Sequence, residues 1–180
     1  VEKLDSDTLQ IQIQPVELET LLGTAIQANQ GYADRYGVSL ILAGSQGPAW
    51  VDANADRLMQ VMANLLSNAA KFSPREARVE VRLERIGDAF RVSVADSGHG
   101  IAEAFKPRVF ERFAQADSST SRRRGGTGLG LAICKMIIDK LGGNIDFVST
   151  PGLGTTFYFE LPANAQAAQQ DEPGRGTVRI

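Results

Sequence analysis

The chain has 180 residues, 43% hydrophobic and 22% charged, with a formal net charge of -2 and a pI of about 5.5. This length and mixture suit one globular α/β domain with its own core, and the acidic balance gives no overall footprint for a nucleic-acid partner. The single cysteine, Cys134, excludes a disulfide framework, and there is neither a signal peptide nor an apolar run long enough to span a membrane.

Residues 1–14 are polar with scattered Leu and Ile and form no core element alone. Pro15 suits the first turn of a helix, and Leu18, Leu21, Leu22, Ala25 and Ile26 follow at helical spacing. Val38 to Ala43 predicts a strand, with Trp50-Val51 as its short partner. Asp56 to Phe72 predicts a strong helix, closed by Ser73-Pro74. Val79, Val81 and Leu83 alternate with charged residues, and Phe90, Val92 and Val94 repeat the pattern after Gly87, so these two strands should pair as a hairpin. A short helix is expected near Glu103–Phe110, then a long polar loop over 114–126, then a helix from Thr127 to Leu141 ended by Gly142-Gly143. Ile145 and Phe147, then Phe157, Phe159 and Leu161, predict a second hairpin around Pro151-Gly152. The order implies a two-layer α/β sandwich: a mixed, mostly antiparallel sheet with helices on one face. From Ala163 onward the composition reads as a flexible linker, and Thr177–Ile180 as the start of another strand.

Several residue groups carry chemistry. Gly125-Gly126-Thr127-Gly128-Leu129-Gly130 opens the last main helix. Closely spaced glycines leave backbone N–H groups open beside the positive end of a helix, which makes an anion cradle. The run fits neither a P-loop, which needs Lys-Ser or Lys-Thr after its last glycine, nor a dinucleotide fingerprint, which needs a preceding strand. Asn64, Asn68 and Lys71 share one stripe of the helix 56–72, opposite an apolar face of Leu58, Val61, Met62, Leu65, Ala69 and Phe72. Two amides and an ammonium suit a hydrated cation and phosphate, although a solvated helix face is the ordinary reading. Asp96-Ser97-Gly98-His99-Gly100 ends a strand. Its carboxylate can accept from an exocyclic amine while the glycines let a flat ring lie close; an ordinary Asp-Gly turn is the alternative. Phe110 and Phe113 can pin the base of the polar loop, whose Arg122, Arg123 and Arg124 are placed to close over phosphate. Cys134 reads as a core thiol, and His99 as a turn residue without a carboxylate partner.

The order of these groups, ending in Gly152-Leu153-Gly154-Thr155, resembles the N, G1, F, G2 and G3 boxes of the sensor histidine kinase ATP-binding domain, a Bergerat-type fold within the wider GHKL group. The resemblance covers residues 15–162 and is closest over Asp56–Pro74. It implies that Asp96, flanked by Gly98 and Gly100, reads adenine N6, with Thr155 beside it through a water. Asn68 would coordinate Mg²⁺ with Asn64 helping, Lys71 would meet the phosphate tail, and Gly126, Thr127, Gly128, Leu129 and Gly130 would supply the phosphate-facing loop. One of Arg122–Arg124 would reach the γ-phosphate. ATP-hydrolysing members of the group carry a glutamate base one turn before the magnesium asparagine, where this chain has Asn64. An amide cannot take a proton from water, so transfer to a nucleophile from elsewhere is expected rather than hydrolysis.

That nucleophile would be a histidine on a separate dimerisation domain, since the only histidine here is His99. Residues 1–14 resemble the end of that domain, 163–176 a linker, and 177–180 the first strand of a receiver domain. The implied partners are the histidine-bearing domain of the same parent and a response regulator or receiver domain, with no nucleic acid. The implied parent is a homodimer, the fragment itself a monomer in the cytoplasm, with a membrane anchor in the parent left open. The alternatives are a nucleotide-binding module without transfer activity and a GHKL serine kinase.

Overall fold

Val79, Val81 and Leu83 on one strand, Val92 and Val94 on the next and Phe157, Phe159 and Leu161 on a third are buried. Their pairing puts Val81 opposite Val94, Leu83 opposite Val92, and Val92 opposite Phe159, so period-two alternation has become one continuous apolar face. In this computed structural model, which describes residues 12–44, 47–114 and 128–170, the strands are β1 Gln14–Glu17, β2 Ser39–Ala43, β3 Trp50–Ala53, β4 Arg78–Ile86, β5 Ala89–Ala95, β6 Asn144–Thr150 and β7 Gly154–Pro162. The helices are α1 Leu18–Tyr36, α2 Ala55–Phe72, a 3-10 helix Glu103–Arg108, α3 Gly130–Lys140 and α4 Ala165–Gln170.

The main sheet runs β2-β4-β5-β7-β6. Only β2 and β4 are parallel; the other neighbours are antiparallel. The helices α1, α2 and α3 cover its apolar face, with Leu22, Leu58, Met62, Leu65 and Ile138 among the fully buried side chains. The architecture is the mixed α/β sandwich that the alternation implied.

Four local expectations change. Pro15 does not open a helix: it sits in β1, paired with Asp52 of β3. A strand with one partner tolerates the missing N–H. The helix starts three residues later, at Leu18, because Glu17 caps it, its carboxylate accepting from Glu19 N at 3.1 Å and Thr20 N at 2.7 Å. Trp50-Val51 pairs with β1 rather than with β2, making a separate two-stranded ribbon. Phe72, assigned to the apolar face of α2, is 37% exposed at the last residue of the helix, its ring lying against His99 rather than in the core. The linker expected from Ala163 begins as the short helix α4, whose N-cap Asn164 accepts from Gln166 N at 3.0 Å and Ala167 N at 2.9 Å. Asn164 Nδ2 donates to Asp52 Oδ1 at 2.7 Å and its backbone N–H to Trp50 O at 2.7 Å. Ala163 bridges Val51 in antiparallel fashion. The ribbon thus holds both the strand that enters the sandwich and the segment that leaves it.

Candidate functional site

The glycine-bearing turn after β5 is stitched to the β6–β7 hairpin. Asp96 N donates to Thr155 O at 2.8 Å, Gly152 N to His99 O at 2.7 Å and Ile101 N to Ser149 Oγ at 2.8 Å. The approach is so close that a Cβ on Gly100 would lie 2.5 Å from Thr150 O, and one on Gly98 would lie 2.8 Å from Phe72 O. Gly100 also holds φ +75, a conformation that favours glycine. These glycines let α2, β5 and the hairpin converge on Asp96.

Asp96 Oδ1 accepts from Gly98 N at 2.8 Å and Thr155 N at 3.2 Å. Both bonds fall on one oxygen, and no donor among the described residues reaches Oδ2. Burial raises the Asp96 pKa above the usual aspartate value; the two N–H donors and nearby His99 work against that rise without cancelling it. The result is a half-buried carboxylate with one oxygen fixed and the other available to an incoming donor.

Asn64, Asn68 and Lys71 are half-buried on α2, and Asn64 meets the start of α3. Asn64 Nδ2 donates to Gly130 O at 3.3 Å, and its Oδ1 lies 3.3 Å from where a Cβ on Gly130 would stand. The asparagine expected at the phosphates therefore also fastens the end of the glycine run to α2. Lys71 Nζ lies 5.2 Å from the centre of the Phe72 ring. His99 packs edge-on against that same Phe72 ring, 5.6 Å between centroids. Its Nδ1 is 2.7 Å from Gly100 O, so Nδ1 carries the proton, a carbonyl being able only to accept. His99 is thus occupied within the turn.

Phe110 and Phe113 do not act as a pair. Phe110 packs on Phe147 and Phe157, whereas Phe113 is 70% exposed at φ +62. The 3-10 helix ends at Arg108, so three-residue spacing no longer sets a common face. Phe113 N donates to Gly128 O at 2.9 Å, and Gly128, at φ +69, has no room for a Cβ against the Phe113 backbone. The two ends of the basic loop therefore meet. The loop residues Arg122, Arg123, Arg124, Gly126 and Thr127 lie outside the described residues. Leu129 and Gly130 follow at the start of α3, three residues later than the helix expected from Thr127. Cys134 is fully buried, its Sγ donating to Val61 O at 3.8 Å, and burial pushes the thiol up to about 12.

Sequence reading named Gly154 only within the last glycine box and missed Ser149. A Cβ on Gly154 would lie 2.1 Å from Asp96 O, and Ser149 ties the hairpin to the turn through Ile101 N. The serine had no signal, because it occupies a strand whose alternation is carried by Ile145 and Phe147.

The description "Histidine kinase-, DNA gyrase B-, and HSP90-like ATPase" matches residues 53–165, and the chain belongs to that family. Several of the relatives are histidine kinases by name. The chain is 49% identical over 109 residues to the sensor histidine kinase AruS of Pseudomonas aeruginosa, covering 58% of this chain and 11% of that protein. It is 37% identical over 159 residues to the sensor-like histidine kinase SenX3 of Mycobacterium tuberculosis, covering 87% and 38%. The crystal structure of full-length ShkA in complex with AMPPNP superposes with a TM-score of 0.75 at 31% identity, over 87% of this chain and 32% of that one. The chain spans well under half the length of these relatives and has the fold of their ATP-binding catalytic domain. Among the described residues no helix is long and apolar enough to cross a membrane.

Proposed function

We propose that this domain binds Mg-ATP and positions its γ-phosphoryl group for transfer to a histidine on a separate dimerisation domain of the same parent protein. The observation that carries the reading is Asp96: a fixed, half-buried carboxylate with one free oxygen, in a turn whose glycines let α2 and the β6–β7 hairpin close around it. Asp96 takes the adenine amine, with Thr155 beside it. Lys71 and the Gly128–Gly130 end of the glycine run take the phosphates, helped by the arginines of the basic loop. The AMPPNP bound by ShkA, an ATP analogue, supports the ligand class.

Among the described residues no group of three or more His, Cys, Asp or Glu side chains could hold a metal ion. The donors of α2 are neutral amides, which fits an ion that arrives with the phosphates and takes one or two protein oxygens. Asn68, with Asn64 beside it, would hold Mg²⁺, which neutralises phosphate charge when bound. The protein contributes position and electrostatics. The γ-phosphorus bond to the β–γ bridging oxygen breaks, a bond to an imidazole nitrogen forms, and ADP leaves with the electron pair. Asn64, lacking a basic atom, gives water no general base.

The full 180-residue chain should bind Mg-ATP in a calorimetric titration and form no acid-labile phosphate alone. Adding the parent's histidine-bearing domain in trans should produce acid-labile phosphate on that domain. Phosphohistidine on this chain alone, or binding without transfer to the supplied domain, would overturn the kinase reading. A receiver domain or response regulator downstream, and homodimerisation of the parent through residues preceding β1, belong to the same proposal.

A further inference from the structure

Ser149 and Thr155 are the buried polar residues among those described, 8% and 6% exposed, and they face each other across β6 and β7. Ser149 Oγ has three polar neighbours. Ile101 N donates to it at 2.8 Å, the Gly154 carbonyl lies at 3.2 Å and the Thr155 hydroxyl at 2.8 Å. A serine hydroxyl has one proton and two lone pairs. The Gly154 carbonyl can only accept, so Ser149 gives its proton there. Its lone pairs then receive Ile101 N–H and the Thr155 O–H, and all three contacts become hydrogen bonds. The reverse orientation between the two hydroxyls would face a Ser149 lone pair against the Gly154 oxygen, an uncompensated repulsion in a buried place.

With its proton committed to Ser149, Thr155 keeps only acceptor capacity. Its backbone N–H is committed too, donating to Asp96 Oδ1 at 3.2 Å. The ionised Asp96 carboxylate is also an acceptor only. We propose that Ser149 is a positioning residue that fixes the Thr155 hydroxyl as an acceptor, so that the site selects a purine with a 6-amino group over one with a 6-carbonyl. The inference rests on the reading of Asp96 and Thr155 as the base-contacting pair. Without Ser149 the Thr155 hydroxyl is free to rotate and to donate, and the penalty against a 6-carbonyl falls.

The test compares ATP with ITP, which carries the carbonyl, by calorimetry on the full chain. Ser149→Ala should shrink the ATP-to-ITP affinity ratio about five- to tenfold, the range of one hydrogen bond. Ser149→Thr, which keeps the hydroxyl, should stay within about twofold of the parent ratio, inside the spread of a conserved hydrogen bond. Thr155→Val should shrink the ratio, and adding Ser149→Ala to it should shrink it no further. Where Ser149→Ala is too unstable to fold, Ser149→Cys, a weak donor and acceptor, replaces it and should give an intermediate ratio. A parent-like ratio in the Ala or Cys variant, or additive losses in the double variant, overturns the proposal. Asp96→Asn separates the two levels. A parent-like ratio there removes the base-reading assignment itself; a collapsed ratio there beside a parent-like ratio in Ser149→Ala removes only the role of Ser149.

Discussion

Gly154 and Asp96 touch through their backbones: a Cβ on Gly154 would stand 2.1 Å from the Asp96 carbonyl oxygen, and the residue holds φ +117. Strand β7 can begin beside the carboxylate only because this position has no side chain. Gly154→Ala should cost about 2–5 kcal/mol in unfolding free energy, from backbone strain and overpacking together. It should also weaken ATP binding more than a distant substitution of equal cost. Urea unfolding beside a nucleotide titration tests this; a parent-like affinity in a folded Gly154→Ala protein would disconnect the contact from the site.

Asp96→Asn should separate stability from binding. The amide oxygen can still accept from Gly98 and Thr155, but an NH₂ replaces the free carboxylate oxygen and meets the base amine donor to donor. ATP affinity should fall about ten- to a hundredfold, the range for a hydrogen bond to a charged group. The pH dependence runs the other way for stability. Burial raises the folded pKa of Asp96, so between the unfolded and folded pKa values the native state binds more protons. Stability from this group is full below that window and is lost as pH rises through it. The Asn variant should therefore melt no lower than the parent at neutral pH, and its advantage should grow as the pH rises above the ordinary aspartate range through the raised folded pKa. ATP binding to the parent, which needs the carboxylate, should strengthen over the same rise.

Cys134 should be inert in the folded chain. Its burial and its thiol pushed up to about 12 leave almost no thiolate at neutral pH. A colorimetric thiol reagent should report no reaction natively and one equivalent per chain in denaturant; rapid native labelling would contradict the packing of α3 on α2.

Asn164→Ala should loosen α4 without touching the nucleotide site. It removes an N-cap and the bond to Asp52, together worth about 1–2 kcal/mol. Hydrogen exchange should quicken over Ala165–Gln170 and the β1–β3 ribbon, with ATP affinity unchanged. Unchanged protection in both segments would show that the cap does not hold them.

Where apolar periodicity was long, the sequence was easy to read. The β4–β5 hairpin, α2 and the β6–β7 hairpin follow from alternation or from three-and-four spacing that nothing local contradicts. Pro15 misled because its fixed φ serves a helix start and a lightly paired strand alike, and the capping carboxylate that decides between them, Glu17, also binds Ala49 N across 3.1 Å. Trp50-Val51 is too short for its pattern to name its partner. Asp96 was visible as a carboxylate among glycines. The reason Gly154 is glycine lies in a strand far along the chain, and the role of Ser149 depends on the direction of a proton between two hydroxyls. Neither leaves a periodic trace.

The ribbon carries a mechanical consequence. Strand β7 starts against Asp96 at Gly154 and runs nine residues to Pro162, about 30 Å of extended chain, and the next residue, Ala163, bridges Val51. The ribbon therefore lies at one end of the sandwich and Asp96 at the other. A domain joined through β1 would start from the far pole of this lever, and a small rotation at the ribbon would become a long arc at Asp96.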